Sequence, residues 1–365
     1  MRFLFRTTYD QDIRLFQFTH QKAWYAVLLV ALFTAPLWLH VVAGDNADYY
    51  ISVLESLSGT ALAGLGLMVL VGYTGQVSLG HAAFLGIGAY AEAVLLGYGV
   101  PFPLSLVLAA LISGFVGVLV AIPALRLVGL YLAIATFAFL IIIQEVLARW
   151  ESVTGGNNGL RVPDMVLFGH ELSEDWQKYY VVLICTVLCF LAVINLLRSP
   201  TGRAMVAIRD SEIAAQSLGV NVARVKTFAF FLSAAITGLS GALFAHKASF
   251  LSPEAFGIIA SLNLLVIVVV GGLGSLHGAV FGAIILVAVP QLLSIAKDHL
   301  PPAIAGTPGL EAGVFGLILV LTILFEPLGM YGRWMKIKFW FAMFPLYKRA
   351  TFKRQKSYMK TERVH

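Results

Sequence analysis

The chain has 365 residues, of which 59% are hydrophobic and only 12% charged. A soluble domain averages roughly 25% charged and 45–50% apolar residues, and an apolar surplus of this size would aggregate if it faced water. Composition therefore excludes a water-soluble protein and makes lipid the solvent for much of the chain.

In chain order, apolar runs predict spans near residues 23–43, 51–71, 82–97, 104–125, 130–147, 179–197, 227–245, 258–270, 279–293 and 313–325. A transmembrane helix needs about 20 apolar residues, so the eighth and tenth runs are short for a full crossing. The first run exceeds the usual signal-peptide core of about 7–15 residues, and Asp10 and Asp12 precede it, so it is read as an uncleaved first helix. The expected fold is all-α: a polytopic membrane protein of about ten helices, organised as an N-terminal segment 1–22, a membrane-spanning body 23–325 and a basic tail 326–365.

Basic residues orient this arrangement. With both termini cytoplasmic, 20 of the 25 Lys and Arg fall on inner segments, leaving Arg149, Arg161, Lys178, Lys247 and Lys297 outside. Cytoplasmic loops are enriched in Lys and Arg in this way. The tail carries net +8 and the rest of the chain −2, so the overall +6 belongs to a juxtamembrane segment suited to anionic lipid. Nucleic acid is not an expected partner.

Several chemistries are missing. There is no Walker-type phosphate loop and no Gly-Lys pair, so ATP has no site of its own here. His170-Glu171 lacks the second histidine of a zinc-protease helix, and Gly64-x-Gly66 and Gly86-x-Gly88 lack the third glycine of a dinucleotide fold. Cys185 and Cys189 lie four apart in an apolar run and read as packing residues on one helix face. Catalytic, cofactor and metal residues are all expected to be absent.

The charged residues in the spans are chiefly Glu55, Glu92 and Glu145, each toward the outer end of its helix. Intramembrane carboxylates are functional candidates because their burial is costly; at a helix end they also serve as snorkelling or structural groups. Gly274, Gly278 and Gly282 recur every four residues and allow close helix approach, within the subunit or against a partner. Two segments resemble each other: Val71 to His81 and Val270 to Gly278 each place glycines, Ser-Leu and His at the inner end of a span. Paired glycine-broken segments point to binding or hinge sites in transporters. Gly72, Gly75, Gln76, Ser78 and His81 are thus path or hinge candidates, as are Gly271, Gly272, Gly274 and Ser275.

Two loops complete the picture. The outer loop 148–178 contains Gly155-Gly156-Asn157-Asn158-Gly159, residues that tolerate positive φ. The inner loop 198–226 begins with Ser199-Pro200, an N-cap followed by proline in the first turn. Thr201 to Leu218 suits one amphipathic helix with Met205, Ile208, Ala215 and Leu218 on its apolar stripe, stopped by Gly219. Such a helix lies on the membrane surface or fits a groove in a cytosolic partner.

The stretch Gly202-Arg203-Ala204 through Ala207-Ile208-Arg209-Asp210-Ser211-Glu212 to Gly219 resembles the cytoplasmic loop of ABC importer permeases. More narrowly, it is similar to the M-type permease of the branched-chain amino acid uptake family. Gly72 to Phe84, Leu125 to Tyr131, Thr154 to Leu160 and Gly271 to Ser275 extend the resemblance over roughly residues 50–330. The resemblance implies a multi-pass protein of the bacterial inner membrane. Its partners would be a second related permease, two cytosolic ATPases that bind the ATP, and an extracytoplasmic solute-binding protein. It implies ATPase-coupling roles for Arg203, Arg209, Asp210, Glu212, Ala214, Ala215 and Gly219, and docking of the binding protein near Asn157 and Asn158. One departure is an isoleucine, Ile213, after Glu212, where the general importer loop reads Glu-Ala-Ala. The solute would be a branched-chain amino acid, urea, a short amide or another carboxylate. A stand-alone ion-coupled carrier is the alternative, and it has no need of the amphipathic inner loop; a membrane-embedded enzyme would need clustered His, Asp or Glu, whereas the eight histidines are scattered.

Overall fold

The computed structural model describes residues 19–127, 129–167, 169–297, 310–326 and 329–343. Residues 1–18, most of the outer segment after Lys297 and the tail beyond Met343 lie outside the described residues, as do the expectations placed on them.

The described chain is mostly helical. The principal helices are α1 (Thr19–Phe33), α2 (Ala35–Ala43), α3 (Ala47–Leu67), α4 (His81–Gly97), α5 (Phe102–Ala124) and α6 (Leu130–Arg149). A single turn α7 (Glu151–Thr154) precedes α8 (Asp175–Arg198), α9 (Pro200–Asp210), α10 (Glu212–Ser217) and α11 (Val222–Ala248). The series ends with α12 (Ile258–Gly271), α13 (Leu276–Lys297), α14 (Leu310–Phe325) and α15 (Gly329–Met343). Among the described residues, six helical stretches are long and apolar enough to cross a membrane, fewer than the ten or so expected, and Lys22–Phe33, His81–Gly97 and Leu276–Leu292 are shorter apolar helices beside them. The chain is a multi-pass membrane protein.

The first two expected spans are shaped by local breaks. The first, 23–43, is broken at Thr34, whose hydroxyl donates to the Val30 carbonyl at 2.8 Å, and at Pro36, which cannot donate its backbone nitrogen. The second runs on through a π-helical turn, Met68–Gly72, before the chain straightens toward α4. Such turns inside helices frequently mark functional positions.

Helix α11 is the centre of the bundle, packed by α5, α4 and α3. Its buried face is built from small residues, including Ser233, Ala234, Thr237, Gly238, Gly241 and Ala242. Without a hydrophobic drive between helices in lipid, close backbone approach supplies the attraction. On the other flank α12 and α13 pair with each other and with α3. The Gly278 and Gly282 face is used within the chain, against Gly271, Gly272 and the Ile267 backbone.

Two short antiparallel pairs close the end of the bundle that the charge pattern makes the outer one. β1 (Leu160–Arg161) pairs with β4 (Phe250–Leu251), and β2 (Val166–Leu167) with β3 (His170–Glu171). Gly155, Gly156 and Gly159 all take positive φ in the preceding turn, as their composition predicts, and Asn157 and Asn158 are exposed.

Candidate functional site

The inner loop folds as two helices rather than one. Ser199 caps α9, its hydroxyl accepting from the Gly202 amide at 3.3 Å, and Gly219 stops the loop at φ 84°. Between them Ser211 becomes extended and caps α10, accepting from the Ala214 amide at 3.2 Å. A serine hydroxyl competes well with helix continuation at such a point. The break redistributes the expected stripe. Met205, Ile208 and Ala215 are buried, but Leu218 is 84% exposed and so is Ile213, at 81%. Met205 sits among Leu70, Ala121, Ala124, Leu132 and Phe230, so α9 is seated on the ends of four longer elements.

Arg209 reaches from this loop into both glycine-broken segments. Its Nη1 donates to the Gly72 carbonyl at 3.1 Å while Nη2 holds Asp210 at 3.0 Å. The two segments touch at the same place. A Cβ on Gly72 would lie 2.9 Å from the Gly274 nitrogen, and one on Gly274 would lie 2.9 Å from Arg209 Nη1. Gly75 covers the other side, where a Cβ would meet Arg209 Cγ at 3.2 Å. Gly274 also holds φ 76°, a region L side chains rarely adopt. The corner is glycine-built because backbone, guanidinium and backbone occupy the space a side chain would need.

Behind it the first segment is tied down by side chains. Thr74 donates to the Leu70 carbonyl at 2.5 Å, and Gln76 donates from its amide to Thr74 at 2.9 Å. The Leu79 amide donates to Thr136 on α6 at 3.0 Å, and Ser261 on α12 donates to the Leu79 carbonyl. His81 is fully buried, with Nδ1 2.8 Å from Ser78 and Nε2 2.7 Å from Ser233 on α11. Ser233 in turn donates to the Gly66 carbonyl at 2.6 Å. In the second segment Ser275 accepts from the Gly278 amide at 3.0 Å and caps α13, with Gly271 and Gly272 beside it. Gln76, Ser78, His81 and Ser275 are all buried, so their polar atoms are engaged with one another and with backbone in this conformation.

Glu212 makes the other tie between loop and bundle. It pairs at 2.7 Å with Lys226, whose side chain is 7% exposed at the start of α11. Arg203 donates to the Arg198 carbonyl at 3.0 Å, and Ala214 and Gly219 face outward. Sequence reasoning missed Lys226 as the partner of Glu212, and Ser233 as the hub behind His81. Neither carries a local signal: one is a lysine opening an apolar helix, the other a serine within it.

The three intramembrane carboxylates separate in character. Glu145 forms an exposed i,i+4 pair with Arg149. Glu55 is buried 3.6 Å from Lys247. Glu92 is wholly buried, accepting from Ser105 at 2.7 Å and lying 3.2 Å from His246 Nε2. Among the described residues, no group of three or more His, Cys, Asp or Glu is placed to hold a metal ion.

Comparison with known proteins now identifies the lineage. Residues 49–323 match the family described as branched-chain amino acid transport system / permease component. The high-affinity branched-chain amino acid transport system permease protein LivM of Escherichia coli (strain K12) is 35% identical over 335 residues, covering 85% of this chain and 75% of that protein. Its counterpart in Salmonella typhimurium is 34% identical over 328 residues, 83% of this chain and 74% of that protein. The permease protein LivH of E. coli is 26% identical over 299 residues, 75% of this chain and 91% of that protein. No solved structure matches the chain. The chain belongs to the family of branched-chain amino acid transport permeases.

Proposed function

We propose that this permease is the membrane-spanning subunit of an ATP-driven, binding-protein-dependent importer of the bacterial inner membrane, carrying branched-chain amino acids. It works with a second related permease, two cytosolic ATPases that bind the ATP, and an extracytoplasmic solute-binding protein, and it uses no cofactor of its own. Similarity to both LivM and LivH supports a partner permease of common descent. Both termini are cytoplasmic in this reading, following the distribution of Lys and Arg.

The observation that carries the mechanism is the reach of Arg209 from the inner loop to the Gly72 carbonyl, beside Gly274. The exposed Ile213 and Leu218 give a cytosolic ATPase an apolar handhold on α10 and its end. Movement of the loop is transmitted along two ties. Arg209 pulls on the corner after α3, and Glu212 pulls on Lys226 at the foot of the central helix α11. The π-turn and the glycine corners take up the backbone change, and the two halves of the bundle part around the solute path. Amide groups at the starts of α4 and α13 then become available to a solute carboxylate, because helix N-termini leave N–H groups unpaired. The binding protein would dock near Asn157 and Asn158, and their exposure supports that reading.

The test is co-purification and reconstitution. Affinity purification from native membranes recovers two ATPases and a second permease, and proteoliposomes of that complex take up leucine only with ATP and binding protein. A stable homomer that transports on an ion gradient alone would overturn the proposal.

A further inference from the structure

The outer end of the bundle holds a crevice of about 190 Å³ bounded by Asp164, Glu171, Ser173, Lys178, His246 and Ser249. Three local structures build it. The Val162 amide donates to the Ser249 carbonyl at 3.0 Å, extending the β1–β4 pair. The Leu172 amide donates to the Met165 carbonyl at 2.8 Å, continuing the β2–β3 register and setting Asp164 close to Ser173. Lys178 comes from the first turns of α8, which Glu174 and Gln177 fix through a reciprocal cap.

Its floor is rigid. His246 is buried on α11, held against Glu92 at 3.2 Å and edge-on to Phe102 with ring centroids 5.2 Å apart. The second oxygen of Glu92 has no hydrogen-bond partner among the described residues. The mouth carries both signs of charge, and the half-buried Pro163 and Leu172 add apolar surface, while Val162 and Met165 are buried. Drug-sized ligand sites begin near about 300 Å³, so this volume suits one small solute.

We propose that this crevice is the first site on the permease for an aliphatic amino-acid zwitterion released by the binding protein. Lys178 receives the carboxylate, Asp164 and Glu171 receive the ammonium group, and the apolar surface at Pro163 and Leu172 receives the branched side chain. His246, braced by Glu92, positions the floor. This assignment rests on the importer reading above, and it names where that importer's solute first meets this chain.

The experiment uses the full importer in proteoliposomes, with binding protein and L-leucine outside and ATP inside. ATP-dependent uptake by the unaltered complex establishes the importer itself; its absence would fail that reading, and with it the site. Given that uptake, Lys178→Ala and the pair Asp164→Asn with Glu171→Gln each lower leucine uptake about tenfold. Stimulation of ATP hydrolysis by loaded binding protein stays at the unaltered level, because docking is untouched. In a Ser173→Cys complex, a membrane-impermeant thiol reagent labels the crevice, and saturating L-leucine with binding protein slows that labelling. Uptake unchanged in the charge variants, or labelling indifferent to leucine, would overturn the proposal. So would a parallel loss of uptake and stimulated hydrolysis, which would make the crevice a socket for the binding protein.

Discussion

At the inner end of the bundle, two glycine corners approach so closely that a Cβ on one would meet the backbone of the other, and a single guanidinium reaches a carbonyl between them. At the outer end, by contrast, the helices finish in side chains of both charges. Glu55 lies against Lys247, Glu92 against His246, and Asp164, Glu171 and Lys178 line a crevice. The point of contact at one end is backbone against backbone, and at the other it is side chain against side chain. Glycine backbone takes up angle changes that other residues resist, so this corner is suited to movement, passed to it through the Arg209 and Glu212 ties. A buried polar pair loses the compensation for its desolvation when separated, so the outer end is suited to holding shape and recognising a polar solute.

This contrast can be broken in descending order of effect. The largest effects fall on the inner glycines. Gly274→Val and Gly75→Val introduce a side chain at positive φ against Arg209. Overpacking of this kind costs about 1–3 kcal/mol, and uptake of leucine by the assembled importer is expected to be lost while the protein still inserts in the membrane. Transport surviving both substitutions would remove the corner from the mechanism. Next comes Arg209→Ala, which deletes a hydrogen bond from a charged donor, a class of bond worth about 1.5–3 kcal/mol. Uptake should fall about tenfold or more, with basal ATP hydrolysis retained and its stimulation by binding protein reduced. Glu212→Gln weakens the parallel tie to Lys226 and should act in the same direction.

At the outer end the prediction concerns stability before rate. His246→Ala removes a hydrogen-bond partner from the wholly buried Glu92. Ser105 still donates to the same oxygen, so the loss is that of one hydrogen bond, about 0.5–1.5 kcal/mol, readable as a lower unfolding midpoint of the detergent-solubilised protein. An unchanged midpoint would show that the outer pair is not the brace inferred here.

The smallest effect lies at α15. Glu326 pairs with Lys336 at 2.9 Å and Arg333 at 3.0 Å, and the Lys336 hydrogen bond, with Arg333 beside it, holds its carboxyl below the ordinary carboxylate range. A lowered native pKa contributes stability above the unfolded value, and that contribution disappears as pH falls through the native one. The docking of α15 is therefore unaffected at neutral pH and loosens only in acid. In inside-out vesicles, Glu326→Gln should modestly speed tryptic cleavage at Lys336 and Lys338; an unchanged rate would show that the pairs do not anchor the helix.

Much of this was legible before any coordinates. The alternation of apolar runs and basic loops gave helices in lipid, because hydrophobic length and Lys/Arg placement are one-dimensional properties. Ser199-Pro200 and Gly219 gave the ends of the inner loop, since caps are local chemistry. The break at Ser211 is not legible in residue order, although the serine is a known cap former. Its extended backbone lets Met205 on one helix and Ala215 on the next both be buried, an outcome of packing rather than of local sequence. The long first run hid its interruption, because Thr34 and Pro36 are minor perturbations to hydropathy and decisive ones to hydrogen bonding.

By itself, then, the sequence determined the solvent, the helical class, the paired glycine segments and the family, all of which depend on residue order alone. The tertiary structure decided which of those segments meet. Gly72 and Gly274 are 202 positions apart, and Arg209 is 137 from the carbonyl it holds. Glu92 and His246 meet across 154 positions at the opposite end. Contacts at such separations follow from which small-residue faces pack around α11, a choice made by backbone fit among many helices and written in no single stretch of the chain.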